Sequence, residues 1–165
     1  TKPSASVPGH TYVVNPTTKS FSRVLGDING LTTLLSPDGK SILYSDNSLS
    51  LSIYNIKSAT RTPVGVRTLP EKCVWNSGST VLYCAVPIAT NLFQYPDVWY
   101  QGEESFVDQI WKIDTVNGLT TMLADPAIIP GGENIDGIKL AIDKDEKYLL
   151  FVNKKESFLW GLNLE

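Results

Sequence analysis

Histidine is almost missing from this 165-residue chain, in which His10 is the only one. A Ser-His-Asp or Cys-His catalytic arrangement therefore has little to draw on within these residues. Only two cysteines are present, without a second pair or a histidine cluster, which leaves a zinc site without ligands. No run of 18 apolar residues occurs, so nothing reads as a membrane-spanning helix. Charged residues make up 19% and the net charge is −3, which supplies no basic footprint for nucleic acid. Helix signals are scarce as well. Gly131-Gly132 lacks the strand, glycine-rich loop and helix that phosphate binding requires, and reads as a mobile connection.

What is present is repetition. An aromatic followed two residues later by an aliphatic recurs as Tyr12-x-Val14, Tyr54-x-Ile56, Trp111-x-Ile113 and Trp160-x-Leu162. The segments before these phrases also align. Leu34 to Tyr44 superposes on Ala141 to Phe151 without a gap, and Val74 to Tyr83 fits with one residue deleted. Each copy is a short apolar strand, a polar turn and a second apolar strand, the signature of a hairpin. In Pro37-Asp38-Gly39 the proline presets φ and the glycine accepts a positive one.

Naming the hairpin strands A and B and the aromatic strand C, a Thr-rich fourth strand D follows at about Phe21 to Leu25, Thr60 to Val64 and Leu119 to Leu123. The chain then reads C-D, A-B-C-D, A-B-C-D, A-B-C. Four-stranded antiparallel units in which D leads to the next A are blades of a β-propeller, so the expected fold is all-β, a partial propeller of about three blades plus an N-terminal C-D pair. The expected boundaries are residues 11–25 for the partial blade, 31–66 and 72–123 for the full ones, and 138–165 for an incomplete last blade. Residues 1–10, rich in Pro and Ser, read as a flexible lead-in. The four aromatics are expected to pack between blades.

The Ser36-Pro37-Asp38-Gly39-Lys40 turn between an apolar strand and Ile42-Leu43-Tyr44, followed by Ile53-Tyr54-Asn55-Ile56, resembles the TolB-like branch of the WD-repeat-like propellers. The resemblance covers most of residues 10 to 165, although the other two blades lack the Pro-Asp-Gly core. It implies a fold rather than one function, because such propellers serve as periplasmic scaffolds, peptidase gatekeepers, sugar-binding modules and occasional enzymes. With three and a quarter blades the ring is open. The expectation is that the chain represents the C-terminal half of a larger propeller and, alone, closes by pairing with a second copy as a homodimer.

The cysteines carry the sharpest local chemistry. If the hairpin turns near Ser77-Gly78, Cys73 and Cys84 stand opposite each other on antiparallel strands, about 4.5 to 5.5 Å apart at Cα and within reach of a disulfide. Such a bond, with the family resemblance, suits an extracytoplasmic location, in the periplasm, on the cell surface or secreted. Two reduced, buried cysteines are the alternative.

The longest departure from the repeat is residues 87–109, between strands B and C of the middle blade. B-C and D-A connections emerge on the top face of a propeller, with Gly26 to Gly30, Val66 to Glu71 and Ala124 to Asp136. The insertion is aromatic and acidic, and Tyr95, Asp97, Trp99, Tyr100 and Glu103 are the expected contacts for a peptide, protein or glycan. The alternative is a loop folded back to cap its blade. Paired carboxylates, Asp97 with Glu104 or Glu133 with Asp136, have spacings compatible with glycoside cleavage but set no distance. Asp143-x-Asp145-Glu146 aligns with a hairpin turn and lacks a calcium-loop pattern. The expected function is therefore a noncatalytic binding scaffold without cofactor or metal. Its alternatives are a fragment of a propeller hydrolase or lyase, dependent on Glu103, Glu133 or Asp136, and a fragment with no independent activity.

Overall fold

The computed structural model describes residues 2–90 and 94–165. These form four antiparallel sheets that follow one another along the chain. A two-stranded ribbon, β1 (Pro8–Asn15) and β2 (Ser20–Asn29), is followed by the four-stranded blade β3 (Thr32–Leu35), β4 (Ser41–Ser45), β5 (Ser50–Asn55) and β6 (Arg61–Arg67). The next blade is β7 (Cys73–Trp75), β8 (Val81–Pro87), β9 (Asp108–Asp114) and β10 (Leu119–Ala124), and the last is β11 (Gly137–Ile142), β12 (Tyr148–Asn153) and β13 (Leu159–Asn163). The order C-D, A-B-C-D, A-B-C-D, A-B-C is the observed one. A 3-10 turn at Pro70–Lys72 and a five-residue helix, α1 (Asp97–Gln101), interrupt it.

The A-B hairpins share their turn geometry. Ser36, Asn76 and Asp143 donate their backbone N–H to the carbonyls of Ser41, Val81 and Tyr148, and Gly39, Ser79 and Glu146 occupy the left-handed position at φ of 70°, 57° and 56°. The three copies therefore align without the deletion expected for the middle one. Asp143 serves as the turn residue, its carboxylate accepting from the Lys147 and Tyr148 N–H groups.

Three readings of the sequence are corrected. Ser52, not Tyr54, holds the place of Trp111 and Trp160, because Tyr44 pairs with Ser52 as Cys84 does with Trp111 and Phe151 with Trp160. A slip of two residues preserves the face on which a strand's side chains lie, so the apolar pattern could not expose it. The lead-in is shorter than ten residues, since Pro8 to His10 pair with β2, and β2 runs on to Asn29 through residues read as loop. Finally, Tyr12 does not pack between blades. It is 52% exposed, because no earlier blade covers its face.

The core lies between consecutive sheets. Leu25 and Leu31 pack with Ile42, Tyr44 and Tyr54 at the first interface. Leu43, Leu51 and Val64 meet Trp75, Leu82, Cys84 and Ile113 at the second. Tyr83, Ala85 and Ile110 meet Leu149 and Phe151 at the third. Each fully buried Leu, Ile or Phe contributes about 1.5–3 kcal/mol. The outer faces of the end sheets remain open, with Phe21 71% and Leu159 70% exposed.

Candidate functional site

Cys73 and Cys84 stand in register at the β7–β8 pair and are joined by a disulfide, with Cα atoms 4.1 Å apart. The bond ties the end of the 3-10 turn to β8, beneath the insertion.

The insertion between β8 and β9 folds inward. Tyr95, Trp99 and Phe106 are buried with Leu49 from the β4–β5 loop and Leu69 before the 3-10 turn. Trp99 and Phe106 stack with their ring planes 13° apart. The capping arrangement thus accounts for Tyr95 and Trp99, which are withdrawn from any ligand. Asp97 is half-buried, and Tyr100 and Glu103 are exposed. Phe93 of the insertion lies outside the described residues.

Beneath the aromatics is an ion network that the sequence reading missed. Lys72, fully buried, places Nζ 2.7 Å from Asp108 Oδ2 and 2.5 Å from Asp136 Oδ1. Asp136 also accepts from Trp99 Nε1 at 2.9 Å and from the Phe106 N–H at 3.2 Å, and Asp108 accepts from the Gly137 N–H at 2.7 Å. Lys154 donates to the Trp99 carbonyl at 2.6 Å and sits 4.0 Å from the Trp99 ring centroid. Together these contacts clamp the insertion to the last two blades.

The electrostatics are unbalanced. Burial pushes the Asp108 carboxyl up to about 6, against the lowering pull of Lys72 and the Gly137 N–H, and its Oδ1 is buried with no hydrogen-bond partner among the described residues. Desolvation outweighs attraction because the site is dry and Lys72 divides its pull between two carboxylates, while the second ammonium, Lys154 Nζ, stands 4.0 Å from Asp136 Oδ2. Lys154 is held below the usual lysine range, chiefly by burial. At the surface, Tyr100 hydrogen-bonds Glu71 and loss of water pushes its phenol well above its ordinary value. The Glu71 carboxyl is likewise raised, chiefly by desolvation, although the residue as a whole is exposed.

Beside α1 a polar groove of about 540 Å³ opens on the surface. Ser4, Ala5 and Ser6 form one wall, and Gln94, Asp97, Val98, Gln101 and Glu103 the other. Asp97 closes one end by accepting the Ala5 N–H at 2.5 Å. The structure thus brings Asp97 and Glu103 together and sets Tyr100 aside with Glu71. Of the carboxylates considered for catalysis, Asp136 is enclosed by Lys72 and Trp99, Glu104 accepts from the Tyr95 hydroxyl, and Glu133 is exposed. No group of three or more His, Cys, Asp or Glu forms a metal cluster among the described residues. None of their helices is long and apolar enough to cross a membrane.

No protein-family model matches the chain, and no curated protein matches it in sequence. Solved structures match its fold. TolB from Acinetobacter baumannii superposes with a TM-score of 0.61 at 12% identity, covering 94% of this chain and 35% of that one. The tricorn protease gives 0.61 at 11% identity, covering 87% and 13%. An oligogalacturonate lyase from Vibrio parahaemolyticus gives 0.57 at 15% identity, covering 90% and 44%. The chain spans less than half the length of each. At these identities the likeness fixes the fold as a TolB-like β-propeller and nothing finer.

Proposed function

We propose that this chain is a noncatalytic, extracytoplasmic propeller segment that binds a peptide, protein or glycan through the top-face groove beside α1. The observation that carries the reading is the insertion itself. Buried aromatics and the Lys72 network anchor its residues 95–106, while the carboxamides of Gln94 and Gln101 and the carboxylates of Asp97 and Glu103 are left lining an open groove. Fixed polar groups on a locked scaffold are what a recognition surface needs. The disulfide supports an oxidising location.

The working form we infer is a closed ring. Tyr12, Val14 and Phe21 at one end and Leu159 and Tyr148 at the other are exposed apolar residues on unpartnered sheets, which a second copy or the remaining blades of a longer propeller would cover. A hydrolase or lyase fragment is the second reading, favoured by the protease and the lyase among the structural neighbours. It places the missing chemistry on other blades.

The test is an NMR titration of the labelled chain with panels of short peptides and neutral or acidic oligosaccharides. Shifts of the Gln94 and Gln101 side-chain amides, weakened at least tenfold in a Gln101→Ala, Glu103→Ala variant, are the expected outcome. Binding that leaves those amides unmoved, or chemical turnover of a bound ligand, would overturn it.

A further inference from the structure

A second polar groove lies on the opposite face, between the blade of β3 to β6 and the blade of β7 to β10. It encloses about 220 Å³ where the A-B and C-D turns emerge. Its walls are Ser41, Asn55, Thr60 and Thr62 from one blade and Ser79 and Thr115 from the other, with Ile53 and Trp75 as the apolar part of the lining. No charged side chain contributes. Trp75 is 5% exposed, and its indole Nε1 is buried without a hydrogen-bond partner among the described residues. A buried, unpaired indole N–H is unusual and calls for an acceptor from outside the chain.

Several wall groups are also unspent. The Asn55 carboxamide oxygen takes the Lys57 and Ser58 N–H groups, which leaves its Nδ2 free to donate, and neither the Ser41 nor the Thr62 hydroxyl has a protein partner among the described residues. The Ser79 hydroxyl accepts the Asp38 N–H across the seam between the blades, and that of Thr115 donates to the Thr80 carbonyl within its own blade. The groove is thus preset on one side and free to bond on the other.

We propose that this inter-blade groove is a binding site for a single neutral sugar ring, such as one pyranose unit of a glycan. Neutral hydroxyl and carboxamide groups around an aromatic floor match a ligand that carries donors and acceptors on its rim and C–H groups on its faces. The absence of lysine, arginine and carboxylate from the lining argues against a phosphate, a nucleotide or an acidic sugar. The volume, room for about seven water molecules at about 30 Å³ each, admits one ring and excludes a folded peptide. Nε1 of Trp75 is closed to solvent in the groove, so a ring hydroxyl accepts from it only by displacing a wall side chain. This site does not depend on the top-face groove.

The experiment is a titration of the full chain with glucose, galactose, mannose and N-acetylglucosamine, followed through the tryptophan indole N–H resonances. At least one sugar is expected to shift the Trp75 indole resonance saturably, in the millimolar range, while the Trp99 indole, locked on Asp136, stays in place. Thr62→Val, an exposed and nearly isosteric change, together with Ser41→Ala, should weaken that sugar at least fivefold without altering the urea midpoint. No movement of the Trp75 resonance by any of the four sugars, or equal binding by the double variant, overturns the proposal. Shifts confined to Gln94 and Gln101 also overturn it, and would support the top-face reading instead.

Discussion

Acidification from neutral pH should stabilise this protein, because Asp108 holds its proton more tightly folded than unfolded. Its carboxyl stands near 6 in the fold against an ordinary 3.8, with burial as the main cause. Between those two values the folded state carries more protons than the unfolded state, so stability rises as pH falls through 6 and the gain is complete near 4. At 1.36 kcal/mol per unit the full effect is about 3 kcal/mol, and roughly 1 kcal/mol of it falls between about pH 7.5 and 5. Asp108 is 1% exposed, so solvent screening takes little from this figure. Glu71, also raised, acts in the same direction. The surface carboxylates of Asp38, Asp114, Asp143 and Glu146 are lowered and oppose the trend from about pH 5 downward. The assay is urea unfolding by tryptophan fluorescence at both pH values and one protein concentration, on the native chain and on Asp108→Asn. The native chain should gain on acidification and the variant should lose most of that gain. Equal or lower stability at pH 5, or an undiminished slope in Asp108→Asn, would refute the reasoning.

Three further outcomes follow from the same geometry. Trp99→Ala should cost about 3–5 kcal/mol in urea unfolding, since it empties the insertion's core and frees the Asp136 carboxylate, whereas Tyr100→Ala should change stability by less than about 1 kcal/mol. Reduction of the Cys73–Cys84 bond, which closes a separation of 11 residues, should lower stability by about 2–4 kcal/mol, measured with and without reductant. Gly30→Ala should destabilise by about 1–3 kcal/mol in thermal unfolding, because Gly30 sits at φ 70° and a Cβ there would lie 2.6 Å from the Tyr95 carbonyl oxygen.

The blade order was legible because strand identity rests on local signals, namely period-two alternation and turn residues such as Pro37-Asp38-Gly39. The Cys73–Cys84 pairing was legible for the same reason, since both residues belong to one hairpin. Signals of this kind do not reveal contacts between elements. Lys72 reads as an ordinary charge at the end of a connection, and its partners lie 36 and 64 residues away. Trp99 and Tyr100 are adjacent aromatics that sequence treats alike, yet the short helix α1 turns Trp99 inward to Asp136 and Tyr100 outward to Glu71. The hint was available in the alternation of buried and polar residues along the insertion, but α1 is too short for that alternation to show its period. Tyr12 reads as core for the opposite reason, because the repeat implies a neighbouring blade that these residues do not include.

We propose that these blades work in a closed ring, which the isolated chain closes with a second copy. Light scattering coupled to size exclusion measures this directly. A mass near twice 18.1 kDa is expected, returning to 18.1 kDa when Tyr12 and Phe21 on the exposed face are both changed to Asp. A native chain that stays at 18.1 kDa across the accessible concentration range would contradict it.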